Sequence, residues 1–162
     1  MYKCGDYVVC KSGGVWSIVH KDESFIKLKE YINGLERKIS VNDAEIVRSI
    51  CSKETIEEAI DRVGFIKTIK ASNDKARKEI YDAAMNEYDE ISWISIIKTI
   101  YIREKDHRLM DKELEYSKKA KEYFHSEVSI LLGIDYRDVE KYISDKVSSD
   151  EWWLYKLMKS FN

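Results

Sequence analysis

The sequence predicts an α+β protein, in which a small N-terminal antiparallel sheet or barrel is followed by an all-α helical bundle. Short β-rich runs separated by glycine and asparagine turns occupy residues 1–50, a pattern that is typical of strands. From Ser52 onward the apolar residues recur at helical spacing. The chain of 162 residues contains no proline, so no proline ring interrupts long helices.

The N-terminal strands are predicted from turn residues and from alternation. Residues 7–10 and 15–19 flank a Gly-Gly pair, where a positive φ costs little, and they predict a β-hairpin. Residues 25–31 alternate between two faces, as a half-buried strand does. An Asn-Gly turn at residues 33–34 then precedes a fourth strand at residues 37–41.

The first two helices are predicted from their caps. Ser52 caps a helix that ends near Val63, before a glycine. Ser72 or Asn73 begins a second helix that continues to about Tyr88. The residues of this second helix expected to face the core are Ala76, Ile80, Ala83 and Ala84.

Three further helices follow, and the chain closes with an apolar segment at residues 152–158. One helix covers residues 90–105, and Asp111 caps the next, which ends at Gly133. Asp135 caps a last helix. Their expected core residues are, in chain order, Ile94, Ile97, Ile100 and Tyr101; Leu114, Ser117, Ala120, Phe124, Val128 and Leu131; and Val139, Tyr142 and Ile143.

These elements predict two domains and a linker. Residues 1–66 hold the strands and one helix, because a β-rich unit of about fifty residues is marginal without further packing. Residues 67–73 form the predicted linker. Residues 74–162 form the helical C-terminal domain, which is large enough for its own bundle.

Composition limits the partners of the chain. The net charge is −2, so no global field attracts nucleic acid or membrane, and a nucleic-acid contact requires a local basic patch. The apolar runs are too short to cross a bilayer. Met1 is not followed by a basic and then apolar signal segment, so the cytoplasm is the expected location.

Catalytic and metal-binding motifs find little support in the sequence. The three cysteines form no Cys-x-x-Cys pair, and the three histidines are isolated from one another. Cys4 and Cys10 are expected to pack as small apolar side chains. The sequence has no nucleophile elbow and no phosphate-binding loop. We therefore expect a protein that is not an enzyme and uses no cofactor, metal or small-molecule substrate.

Three stretches together resemble the CarD/CdnL family of bacterial transcription regulators. The first is Gly5-Asp6-x-Val8-Val9, followed after four intervening residues by Gly14-Val15. The second covers residues 38–45 and is similar to the fourth strand of the family and the turn after it. The third covers residues 118–130 and is similar to the long late helix. They occur in family order, with near-family spacing, over most of the chain.

The resemblance implies a Tudor-like N-terminal module, shared with transcription-repair coupling factor, that binds the β subunit of bacterial RNA polymerase. It further implies a helical domain that meets promoter DNA at the upstream edge of the bubble, without sequence-specific readout. Such a protein would modulate the stability of the open complex and would have no catalytic activity.

The chain departs from the family pattern at three places. The connection at residues 21–24 is short, and two prolines of the family are replaced, one by Cys10-Lys11 and one by Ser40. The family inserts a tryptophan into the minor groove, and Asp74 stands at that position here. A carboxylate facing the duplex is repelled by phosphate and is no wedge. The departures put the DNA contact in question.

The polymerase contact is carried over to the strand at residues 37–41 and to its neighbour. Such an edge strand can pair with a strand of the partner. Alternatively, charges such as Lys38 only protect an exposed edge against aggregation. The residues assigned to this contact are Arg37, Lys38, Ile39, Ser40, Lys27 and Lys29.

The DNA contact is assigned to two basic clusters. Residues 65–80 carry a net charge of +3, and a second cluster lies on the long helix; both could hold phosphates. The alternative is an ordinary charged helix face. The residues assigned to this contact are Lys75, Arg77, Lys78, Lys118, Lys119 and Lys121.

Two further interpretations stay open. The same β module could bind polymerase while the helical domain contacts protein or dimerises, which would make the chain an adaptor. A Tudor-like module could also bind nucleic acid directly. Among the tryptophans, Trp93 is expected in the core, and Trp16 in the core or on the barrel surface. Trp152 and Trp153 either cover the bundle or anchor a partner.

Overall fold

The computed structural model describes residues 1–148, and it places an antiparallel sheet before five α-helices. This arrangement confirms the α+β class. The predicted apolar segment at residues 152–158, with Trp152 and Trp153, lies outside the described residues.

The sheet has five strands in the order β4-β3-β2-β1-β5. Its strands are β1 (Tyr7–Cys10), β2 (Val15–Lys21), β3 (Phe25–Glu30), β4 (Glu36–Ser40) and β5 (Ile46–Ser49). Gly13 and Gly14 turn the first hairpin with φ of 130° and 74°, a region that favours glycine. The four predicted strands are confirmed, and β5, which pairs with β1, was not predicted.

The helices are α1 (Lys53–Asp61), α2 (Asp74–Met85), α3 (Glu90–Lys105), α4 (Glu113–Leu132) and α5 (Val139–Ser148). The predicted caps Ser52 and Asn73 accept hydrogen bonds from the N–H groups of Thr55 and Ala76. Gly133 ends α4 with a φ of 67°, as predicted. Short 3₁₀ turns follow α1 at Val63–Phe65 and precede α5 at Tyr136–Asp138.

Several predicted helix details are wrong. Helix α2 packs through Arg77, Tyr81 and Met85, which are four residues apart, whereas the predicted core residue Ile80 is 37% exposed. Leu114 at the start of α4 is 50% exposed. The N-cap predicted at Asp111 is one residue later, at Lys112. The backbone of Lys112 is in the left-handed region, and its side chain makes no capping hydrogen bond. The prediction that Cys4 packs inside is also wrong, because its side chain is exposed.

One buried cluster joins the sheet to the helices. It contains Val9 and Val15 from the first hairpin together with Trp93 and Tyr123 from α3 and α4. The rings of Trp93 and Tyr123 stack with centroids 4.9 Å apart, which confirms Trp93 as a core residue. A second, smaller cluster fills the opposite face of the sheet and includes Trp16. Residues on both sides of the predicted linker therefore share the larger of these two apolar clusters.

Within residues 1–148, no helix is both long enough and apolar enough to span a lipid bilayer.

Candidate binding surfaces on the sheet edge and the helices

Strand β4 is an edge of the sheet. It pairs with β3 on one side, and no strand among the described residues pairs with it on the other. The N–H of Val41 donates to the backbone carbonyl of Ser24, and the N–H of Glu30 donates to the backbone carbonyl of Leu35. Since the two sides of an antiparallel strand alternate, the backbone N–H and C=O of Lys38 point away from β3. This edge presents the groups that strand addition requires.

The outer face of β3 and β4 carries three lysines and one glutamate. The Lys38 ammonium lies 3.8 Å from the centre of the Phe25 ring, a cation–π geometry. Lys27 lies opposite Lys38 in the register and pairs with Glu36 at 2.9 Å. The Lys27 ammonium holds the pKa of the Glu36 carboxyl below its usual range. Lys29 completes this exposed face.

Two of the residues assigned to the polymerase contact lie on the inner side of β4. The Arg37 guanidinium donates to Ser12 Oγ at 2.8 Å and to Glu45 Oε1 at 3.0 Å, and it lies 4.8 Å from the centre of the Trp16 ring. Ile39 is only 8% exposed. Both side chains hold β4 in place, whereas Lys38 and Ser40 are exposed. Because successive side chains of a strand point to opposite faces, Arg37 and Ile39 lie on one face of β4, and Lys38 and Ser40 lie on the other.

Arg77, which was assigned to DNA, lies in a small polar groove. Its side chain is 8% exposed, and its Nη1 donates to the Ile69 carbonyl at 3.2 Å. Three further cations line the same groove of about 310 Å³, namely Lys70, Arg103 and Arg108. Sequence patterns did not reveal Arg103 and Arg108, because these residues reach α2 only through the packing of α3 and the turn after it.

The charges in this groove are partly balanced. Arg103 Nε donates to Glu113 Oε1 at 2.6 Å, and Tyr81 donates to the same oxygen at 2.8 Å. Burial alone would raise the pKa of the Glu113 carboxyl, but Arg103 and the other donors hold it below its usual range. Arg108 pairs with Asp106 at 3.1 Å. The groove therefore keeps a modest positive excess, mainly from Lys70 and Arg77.

The remaining basic residues lie in different surroundings. Lys75 and Lys78 are exposed on α2, and Asp74 begins that helix near Arg103. On α4, Lys121 pairs with Glu140 at 3.0 Å and shares an apolar groove with Lys118. The structure thus groups Lys75, Arg77 and Lys78 on α2. Lys118 and Lys121 of α4 line a separate groove, and Lys119 lies near Gly13 of the first hairpin instead.

A cluster of Cys51, Glu90 and Glu127, which the sequence did not reveal, has the donor types of a metal site. Their donor atoms lie within 4.8 Å of one another. The Cys51 thiol donates to Glu127 Oε2 at 2.8 Å, and burial followed by the Glu127 charge raises the pKa of that thiol. Arg48 Nη1 lies 2.8 Å from Glu127 Oε1. Because a guanidinium already supplies the positive charge and the thiol keeps its proton, these groups do not fit a cation.

Apolar side chains are also exposed near the end of α1. Phe65 is 79% exposed, Ile91 is 42% exposed and Ile80 is 37% exposed. They line one shallow depression with Arg62 and Lys67. Clustered exposed apolar residues are typical of interaction surfaces.

No family model matches the chain, and no curated protein matches it either.

Proposed function

We propose that this chain is a CarD-like transcription regulator of the bacterial cytoplasm, with no catalytic activity. Its Tudor-like N-terminal module binds the β subunit of RNA polymerase through β4. Its helices then lie beside upstream promoter DNA, where they alter the stability of the open complex. The observation that carries this proposal is the outer edge of β4, with which no strand of residues 1–148 pairs, and the exposed Lys38 beside it.

The free edge suits strand addition for a physical reason. Its outward N–H and C=O groups supply main-chain hydrogen bonds, and alternate side chains supply specificity. Lys38 and Ser40 are exposed beside that edge, whereas Arg37 and Ile39 keep the strand rigid from behind. A partner strand therefore meets a preorganised edge and orders little of this chain on binding.

The groove between α2 and α3 supports a DNA contact of the phosphate-binding kind. Lys70 and Arg77 line it, and Lys75 and Lys78 are exposed on α2, the helix that carries Arg77. Cations in this arrangement attract phosphates without reading base sequence. Asp74 begins the same helix, which favours backbone contact over insertion between bases.

A pull-down with the isolated polymerase β-subunit lobe tests this proposal. Wild-type protein should retain the lobe, and Lys38→Glu should lose it. Lys53→Glu makes the same charge reversal on an exposed lysine of α1 and should bind as wild type does. Failure of the wild-type chain to retain the lobe would refute the proposal.

A second candidate function is an adaptor that binds polymerase through β4 and another protein through its helices. The exposed apolar depression around Phe65, Ile80 and Ile91 favours it, because buried aromatic anchors dominate protein interfaces.

Salt separates the two candidates. Binding to DNA phosphates should weaken steeply as salt rises, since each neutralised phosphate releases counterions. Binding of an apolar protein partner should respond weakly to salt. A complex of polymerase and promoter that gains stability from this chain only at low salt supports the DNA function, and a salt-insensitive gain supports the adaptor.

A further inference from the structure

The groove between α2 and α3 has a wall that carries four cationic side chains. They are Lys70, Arg77, Arg103 and Arg108. The groove encloses about 310 Å³, which is at the small end of the sizes of ligand pockets. No aspartate or glutamate of residues 1–148 lines it. The charged groups in its wall are therefore all positive, and the space between them suits a small anion.

Arg77 is the most deeply buried of the four cations, with 8% of its surface exposed. Its Nη1 donates to the Ile69 carbonyl at 3.2 Å, and the Tyr81 hydroxyl is a second neutral neighbour. Within the described part of the chain, no carboxylate pairs with this guanidinium. A buried cation without a counterion is costly. A guanidinium has five N–H donors, so donors remain for an anion that enters the groove.

The other cations of the wall differ in how far their charge is balanced. Arg103 and Arg108 are partly neutralised by three carboxylates outside the wall, namely Asp74, Asp106 and Glu113. Lys70 is exposed, and no carboxylate among residues 1–148 forms an ion pair with it. Lys70 and Arg77 therefore supply two uncompensated positive charges, which match the charge of a phosphate dianion.

The segment that carries Lys70 is held on α3 by side chains of that helix. Ser95 Oγ donates to the Lys67 carbonyl at 2.7 Å, and the Ile69 N–H donates to Thr99 Oγ1 at 2.8 Å. These bonds fix the backbone on both sides of the groove wall before any ligand arrives. A ligand that enters therefore orders little of the chain, which favours its binding.

We propose that this groove binds a small free phosphate anion, inorganic phosphate or pyrophosphate, with Arg77 as its main donor and Lys70 at its mouth. Arginine binds phosphate oxygens through two parallel N–H bonds. A DNA duplex presents its phosphates on a broad convex surface, so it meets the exposed Lys75 and Lys78 of α2 and not a side chain as buried as Arg77. The inference goes beyond the proposed function and does not depend on polymerase or DNA binding.

Isothermal titration calorimetry of the full chain with inorganic pyrophosphate tests the proposal. The wild type should bind one equivalent. Lys70→Ala should raise the dissociation constant at least about threefold. Arg77→Lys keeps the charge but loses the paired N–H donors, and it should raise the constant at least about tenfold. Lys53→Ala removes an exposed lysine of α1 that does not line the groove, and it should bind as the wild type does.

Three results overturn the proposal. The first is a wild-type chain that shows no saturable binding of pyrophosphate. The second is a dissociation constant that Lys70→Ala leaves unchanged; because this variant alters an exposed side chain, it decides the question if thermal unfolding shows that Arg77→Lys is not folded. The third comes from fluorescence anisotropy with a DNA duplex. An equal loss of duplex binding and pyrophosphate binding in Arg77→Lys would assign the groove to the phosphates of DNA and not to a free anion.

Discussion

Arg48 on β5 and Glu127 on α4 form an ion pair, with 2.8 Å between Nη1 and Oε1, and the Glu127 side chain is completely buried. Arg48 Nε also donates to the Tyr88 carbonyl at 2.8 Å, and its guanidinium lies 5.3 Å from the centre of the Trp93 ring. One side chain of the sheet thus contacts three segments of the helical part. The pair ties the β5 edge of the sheet, which is the edge opposite β4, to the helices.

Removing one partner of this pair should be strongly destabilising. Glu127→Ala leaves the Arg48 charge without its counterion, and the free energy of unfolding should fall by about 3–5 kcal/mol. Burial raises the pKa of the Glu127 carboxyl, and Arg48 opposes that rise. Urea unfolding measures the loss. Arg48→Met/Glu127→Leu removes both charges and should lose less than Glu127→Ala; an equal or greater loss would contradict this interpretation.

Stability should fall on acidification because of His125. Burial lowers its pKa from 6.5 to about 4, with Glu140 and Lys121 as the nearest charges. Between these pH values the unfolded chain binds a proton at this histidine and the folded chain does not. Lowering the pH therefore stabilises the unfolded state relative to the folded state. The loss between pH 6.5 and 4 should be about 2–3 kcal/mol. Urea unfolding across this pH range measures it, and His125→Gln should remove this component; an unchanged pH profile in the variant would exclude His125.

Arg37 and Lys38 are neighbours in sequence and should behave differently. Arg37→Ala breaks the hydrogen bonds to Ser12 and Glu45 and should lower the free energy of unfolding by about 1–3 kcal/mol. Lys38→Ala alters an exposed side chain and should change it by less than about 0.5 kcal/mol. Thermal or urea unfolding compares the two. A large stability loss in Lys38→Ala would mean that this lysine also has a structural role.

The strands and caps could be predicted because they depend on local sequence. The hairpin at Gly13-Gly14 and the caps Ser52 and Asn73 all follow from a residue and its near neighbours. Strand β5 could not be predicted in this way. It is short, and it exists because it pairs with β1, which lies far from it in the sequence.

The candidate sites were predictable only in part, for a related reason. Exposure of Lys38 follows from alternation along β4, but the internal role of Arg37 depends on Glu45 and Ser12, which the fold brings to it. Likewise, Arg77 is buried because α2 packs through the face that also carries Tyr81 and Met85. The position of a lysine or arginine in a sequence pattern does not determine which groups its long side chain contacts in the folded protein.

DNA binding through the groove between α2 and α3 should become less dependent on salt when cations that line the groove, or that lie beside it on α2, are removed. Each phosphate that Lys70→Ala or Lys75→Ala no longer neutralises should reduce the slope of log K against log salt by about 0.9. Fluorescence anisotropy with a duplex at several salt concentrations measures the slope. Lys53→Ala on α1 serves as the control and should leave the slope unchanged. A slope that is also unchanged in both Lys70→Ala and Lys75→Ala would exclude this groove as the phosphate site.

Backbone hydrogen exchange tests the polymerase contact most directly. The amide of Lys38 points away from β3, so it should exchange quickly in the free chain and become protected when the polymerase β-subunit lobe is added. The amide of Ile39, already bonded to β3, should change little. Protection of the outward amides of β4 is the result that strand addition predicts. Binding of the lobe without protection of Lys38 and Ser40 would contradict the edge-strand contact.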